Sequence, residues 1–287
     1  MKPVGVNAMW EPKVKTIAAL DKGLTVLNVV RETAGVSLHD LHLRTGLPKA
    51  TLLRLLVTLE RRELIWRRIG DGLFCPGSTA GSGKQPSGAI DRLAQCAAPE
   101  LDRLQAAILW PSDLAVRRGN AMVLCETNRA HSYFMVRRDK IGFRVNMLRS
   151  AVGRAYLAFC PDRERERIVA ALRRSARPGD ALAHDPVALD GVLGRTRRAG
   201  YGVRDETFGS AYDKPRSEQD DRLEAMAVPI MSGAVVFGCI SIVWIQGIRT
   251  VTQIAAQHLD ALRGTATEIA ERMENESRGD RHRYPPR

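Results

Sequence analysis

The chain has 287 residues, 44% of them hydrophobic, and a formal net charge of +12. That length suits about two domains of ordinary size, and that charge favours a polyanionic partner, nucleic acid first. The longest apolar run, GAVVFGCISIVWIQG, is too short and too β-branched to span a bilayer, and the first residues lack the apolar core of a leader peptide. No membrane partner and a cytoplasmic location are expected. Cys75, Cys96, Cys125, Cys160 and Cys239 lie far apart, with no CxxC or Cys/His cluster. Reduced thiols are expected, with no zinc site and no disulfide framework.

Residues 1–15 read as a flexible arm and 16–76 as a compact, basic, helix-rich unit. Its first helix spans Ala18–Glu32, with Leu20, Leu24, Leu27 and Val29 or Val30 as the inner face. A second helix is capped by Ser37, has Asp40 three residues on, and stops at Gly46. The turn Gly46-Leu47-Pro48 leads into a third helix opened by Lys49. Leu52, Leu55, Leu56 and Leu59 fall at i, i+3, i+4 and i+7 and form its buried stripe. Ala50, Thr51, Leu53, Arg54, Val57 and Arg61 occupy the other side. Two short helices, a glycine turn, and a second helix with small or basic outward residues make a helix-turn-helix. Ala50 and Thr51 are slim enough for the major groove, and Arg54 reaches a guanine edge or a phosphate.

The next segment, ELIWRRIGDGLFCPG, alternates about a Gly-Asp-Gly turn. It reads as a β-hairpin, Leu64–Arg68 with Leu73–Cys75, which completes a winged helix. The predicted DNA contacts are Pro48, Lys49, Ala50, Thr51, Leu53, Arg54, Arg67 and Arg68, the last two near the phosphate backbone. His39 and His42 have no third ligand nearby and read as surface or packing residues.

Residues 77–88 are Gly- and Ser-rich and read as a linker. The GSGK within it lacks the first glycine and the Ser or Thr of a phosphate-binding loop, so no nucleotide site is expected. Residues 89–274 form a second unit. A helix from Ile90 is expected to break before Pro99 and resume as far as LWPSD. Strands DLAVRR, AMVLCET and SYFMVRR follow, the first two turning at Gly119-Asn120. Helices follow over SAVGRAYLAFC (capped by Ser150), DRERERIVAALRR and ALDGVLGRTRRAGYG. A hairpin turns at Ser232-Gly233, and a final amphipathic helix ends near 274. The class is α+β. Residues 275–287 read as a disordered tail.

The chain has no GxSxG, no HExxH and no positioned Cys–His pair. No catalytic residue, metal or cofactor is expected, and the second unit reads as a binding module. In GCISIV, alternate residues Cys239, Ser241 and Val243 face one side and are small, which leaves space. Ser150-Ala151-Val152-Gly153 opens a helix whose dipole and first amides favour an anion. Asp220 and Asp221 read as part of a charged loop.

ALDKGLTVLNVV, SLHDLHLRTGLPKATLLRLLVTLERRELIWRR and DGLF resemble the N-terminal domain of the IclR family of bacterial transcriptional regulators. Here Leu53 stands where a polar or aromatic residue is common, and Glu63-Leu64 replaces Gly-Tyr before the wing. WPSD, SAVGRAYLAF, RAGYGVRDETF and AVPIMSGAVVFGCISIV resemble the family's GAF-like effector-binding domain, nearest the hydroxyphenylpropionate-type regulators of aromatic-acid catabolism. The resemblance implies effector contacts at Ala151, Val152, Arg204, Asp205, Ala225, Ser241 and Val243. It also implies a homodimer or homotetramer on a palindromic double-stranded DNA operator, with a small carboxylate, perhaps aromatic, as effector. The rivals are a constitutive DNA-binding protein whose second domain only oligomerises, and an enzyme fused to a DNA-binding module.

Overall fold

The computed structural model describes residues 15–77, 88–132, 141–209 and 214–283, with side chains as far as 275. The expected arm, nearly all of the linker and the expected strand SYFMVRR lie outside the described residues. In the first unit, helices α1 (Ala18–Arg31), α2 (Leu38–Thr45) and α3 (Lys49–Arg61) precede strands β1 (Ile65–Arg67) and β2 (Phe74–Pro76). The two strands pair antiparallel, Trp66 opposite Cys75. Val26, Leu27, Val30, Leu41, Leu52, Leu56, Leu59 and Ile65 form the core.

The inner face of α1 differs from expectation. Gly23, Val26, Leu27 and Val30 are buried, whereas Leu20 and Leu24 are 57% and 49% exposed. Apolar residues cover more than one face of this helix, and Gly23 decides which one packs. A Cβ there would lie 3.8 Å from Leu55 Cδ2, in contact with α3.

The second unit begins with α4 (Ala89–Ile108). It runs unbroken through Pro99, contrary to the expected break. A mid-helix proline costs about 3 kcal/mol. Burial of Leu93, Ala97, Leu101, Leu104 and Ile108 in one cluster outweighs that cost. Strands β3 (Ser112–Arg118) and β4 (Ala121–Thr127) form the predicted hairpin. Then come β5 (Arg144–Asn146), α5 (Ala151–Phe159), α6 (Asp162–Arg173), α7 (Pro186–Ala199), β6 (Gly202–Val203), β7 (Leu223–Ser232), β8 (Val235–Ile245) and α8 (Val251–Arg283). The last helix runs past its expected end, since no proline interrupts the chain before Pro285. The short edge strands β5 and β6 were not foreseen.

One six-stranded antiparallel sheet, ordered β5-β4-β3-β8-β7-β6, organises this unit. On one face Leu114, Val116, Met226, Val228, Ile240, Ile242 and Trp244 pack in a cluster with α4 and α8. On the other, Ala115, Ala227 and Cys239 pack with α5, α6 and α7. The sheet is thus a middle layer between two layers of helices. No described helix is long and apolar enough to cross a membrane.

Candidate functional site

The helix-turn-helix is held by short local bonds. Ser37 Oγ accepts from the Asp40 amide at 3.1 Å and caps α2. Gly46 ends it in the left-handed region, φ 68°. His42 Nδ1 donates to the Leu47 carbonyl at 2.8 Å, so this histidine ties the turn together. The stripe Leu52, Leu56 and Leu59 is buried and Leu55 half-buried, while Pro48, Lys49, Ala50, Leu53, Arg54, Val57 and Arg61 are exposed. Thr51 is half-buried, at the boundary of the two faces rather than on the outer one.

The wing treats its two arginines differently. Arg67 is exposed, with its guanidinium 5.7 Å from the Phe74 ring centre. Arg68 is half-buried and closes on Asp71 of its own turn, Nε to Oδ1 at 2.9 Å and Nη2 to Oδ2 at 2.6 Å. It does not extend outward as expected, because the acid in the Gly-Asp-Gly turn satisfies it locally.

In the second unit β8 runs under α5 and emerges beyond it. Cys239 lies beneath the helix with Ala151 and Ala155. Two and four residues on, Ser241 and Val243 line a cavity of about 60 Å³. The first residues of α5, Ser150, Ala151 and Val152, form another wall, with Leu124, Phe143, Val145, Phe208 and Ala225 closing the rest. Ser150 Oγ accepts from the Gly153 amide at 3.1 Å. Two buried ion pairs reach the same space. Arg129 Nε donates to Asp113 Oδ1 at 2.9 Å and Nη2 to Oδ2 at 2.5 Å. Arg204 Nη2 donates to Asp221 Oδ1 at 2.9 Å and Nη1 to Oδ2 at 3.0 Å, while Nη2 also reaches the Phe208 and Gly209 carbonyls at 2.8 and 2.7 Å.

Comparison with known proteins then places the chain. A model of the IclR helix-turn-helix domain matches residues 19–68, and a model of the bacterial transcriptional regulator IclR C-terminal domain matches residues 90–271. The chain belongs to the IclR family of bacterial transcriptional regulators. The HTH-type transcriptional regulator BhcR of Paracoccus denitrificans is 27% identical over 198 residues, 66% of this chain and 67% of that protein. The Thermotoga maritima IclR structure matches with a TM-score of 0.51 at 19% identity, over 89% of this chain and 98% of that one. An IclR homologue from Microbacterium hydrocarbonoxydans, solved with 4-hydroxybenzoate, matches with a TM-score of 0.50 at 24% identity, over 90% of this chain and 98% of that one. The solved structures share the fold: a helix-turn-helix domain followed by an α/β domain.

Of the effector residues nominated for this IclR regulator, the cavity gathers Ala151, Val152, Arg204, Ala225, Ser241 and Val243. Three stand elsewhere. Gly153 faces the chain behind α5, where a Cβ would fall 2.2 Å from the Met147 carbonyl oxygen. Cys239 is core under α5. Asp205 lines a separate open trench and binds Arg154 Nη2 at 2.6 Å. Burial opposes its ionisation, but the Thr207 hydroxyl and Arg154 together hold its carboxyl below the ordinary value.

Asp113, Arg129 and Asp221 were not nominated, and Asp221 was read as a loop charge. The overlooked signal is a charge inside an apolar strand: Asp113 opens DLAV, and a buried acid needs a cation. All five cysteines are free and buried. Burial pushes the Cys75 and Cys160 thiols up to about 11. Among the described residues no group of three His, Cys, Asp or Glu is placed to hold a metal ion.

Proposed function

We propose that this IclR regulator works in the cytoplasm as a homodimer or homotetramer, reads a palindromic operator with α3, and adjusts its grip on DNA when a small carboxylate fills the cavity. The carrying observation is the partly open cavity of about 60 Å³ against the first turn of α5. The leading amides of a helix lack intrahelical partners, and its dipole favours negative charge there. Ala151 and Val152 supply that turn, and the Ser241 hydroxyl offers a further hydrogen bond. Arg129 and Arg204 are each matched by an acid, so the walls add no net charge and a monoanion suits the site. Arg204, Ala225 and Val243 shape the remaining wall.

A dry cavity of about 150 Å³ accommodates benzene. The space beside Ser241 is smaller and open on one side, so a small acid fits within it and an aromatic one would extend toward its mouth. On the DNA side, Arg54 is the base-reading cation, Lys49 and Arg67 meet phosphates, and Leu53 offers hydrocarbon to a thymine methyl.

A thermal-shift panel of two- to four-carbon carboxylates and 4-hydroxybenzoate tests the reading. An acid at 100 times its Kd adds about 2.7 kcal/mol of stability to wild type and none to Ser241→Leu. No stabilisation by any acid, or equal stabilisation of the variant, sinks the cavity assignment and leaves a protein whose second domain only oligomerises.

A further inference from the structure

One buried acid has no part in this reading. Glu126, near the end of β4, is 0% exposed. Its Oε2 accepts from the Ile69 amide at 3.0 Å, and its Oε1 from the Gly70 amide at 2.9 Å and the Thr127 amide at 2.9 Å. Ile69 and Gly70 form the tip of the wing. The approach is close: a Cβ on Gly70 would lie 2.8 Å from Thr127 Cγ2 and 3.0 Å from Ile141 Cδ1. Behind the tip, Trp66 and Cys75 share a buried cluster with Leu93, Ala94 and Ala97 of α4, and Ile69 packs against it. A carboxylate only accepts hydrogen bonds, so it suits a site lined by amide donors.

The same strand leads to the cavity. Thr127 Oγ1 donates to Asp113 Oδ1 at 2.7 Å and accepts from the Arg129 amide at 3.2 Å. Asp113 and Arg129 line the cavity. Cavity wall and wing tip are thus joined by one continuous set of hydrogen bonds.

We propose that Glu126 is a positioning residue that clamps the wing tip onto the C-terminal domain, and that the clamped wing is withheld from DNA. In the clamped state Ile69 and Gly70 are covered and Arg68 is closed on Asp71, so neither tip nor arginine meets a phosphate. Release frees two amides for the DNA backbone. The clamp rests on the DNA-binding half of the function proposed above and does not require the effector.

The test is made on the full chain without any small molecule. The probe is a duplex that wild type selects from a random-sequence library. Gly70→Cys with Thr127→Cys sets two cysteines side by side, since a Cβ at 70 would lie 2.8 Å from Thr127 Cγ2, and the native thiols are buried. We expect the pair to crosslink when reductant is removed. The oxidised sample should bind the duplex about tenfold more weakly than the same sample after dithiothreitol. Glu126→Gln replaces one of the two accepting oxygens by an NH2 group that faces an amide N–H instead of accepting from it, and should tighten binding about fivefold. Damage to the fold alone would weaken it. A folded double variant that does not crosslink, equal binding in both redox states, or a Glu126→Gln protein that binds no tighter would overturn the clamp. If the double variant does not fold, Glu126→Gln decides. A wild type that selects no duplex overturns the DNA reading and the clamp together.

Discussion

Over the middle of its central strands, the six-stranded sheet carries residues of different size on its two faces. Toward α4 and α8 stand Leu114, Val116, Ile240, Ile242 and Trp244. Toward α5 stand Ala115, Ala227 and Cys239, and then Ser241 at the cavity. Large residues fill the first interface as a core. Small ones on the second let α5 sit close to the sheet, and where α5 begins, the same smallness leaves a void. A single alternation along β8 thus supplies core on one side and a cavity wall on the other.

Substitutions on the two faces should therefore differ in kind. The largest effect is expected at Trp244, fully buried and donating from Nε1 to the Arg249 carbonyl at 3.0 Å. Trp244→Ala should cost about 3–5 kcal/mol in urea unfolding. A loss below about 1 kcal/mol would mean that this face is not the packed one. Gly153→Ala comes next. Its Cβ would meet backbone at 2.2 Å, so a loss of about 1–3 kcal/mol is expected. Gly264→Ala, with nothing within 4 Å, is the control. It should stabilise α8 by up to about 1 kcal/mol.

Burial pushes the Glu126 carboxyl up to about 7, against the amides of Thr127, Ile69 and Gly70 and the charge of Arg68, all of which favour the anion. Ser241→Leu should change stability little, within about 1.5 kcal/mol, since the added carbons enter a void. Its signature is a lost response to carboxylate. A large stability loss would mean that the space beside Ser241 is already filled.

The same contrast separates what was legible in the sequence from what was not. Period and punctuation were enough for α2, the Gly46 turn, α3 and the wing, because each is fixed by contacts within a few residues. Alternation gave the face of β8, but it could not say where along the strand α5 stops covering it. Cys239 and Ser241 therefore looked equivalent until the helix was in place. The pairs Asp113–Arg129 and Arg204–Asp221 match side chains 16 and 17 residues apart, and no local rule reports such partners. On α1 there were more apolar residues than one face could bury, and only packing on α3 chose between them.

Each guanidinium in the cavity arrives with its own counter-charge. The chamber is therefore closer to a neutral vestibule than to a cationic trap, and under the proposed function Asp113 and Asp221 would set its preference for a singly charged acid. Replacing Asp113 or Asp221 by the isosteric amide would leave an uncompensated positive charge in a partly open, weakly screened space. A regulator tuned to a singly charged compound would then stand one nucleotide change from admitting a doubly charged one. New inducers could be acquired in this way without redesign of the sheet, the helices or the DNA-reading head.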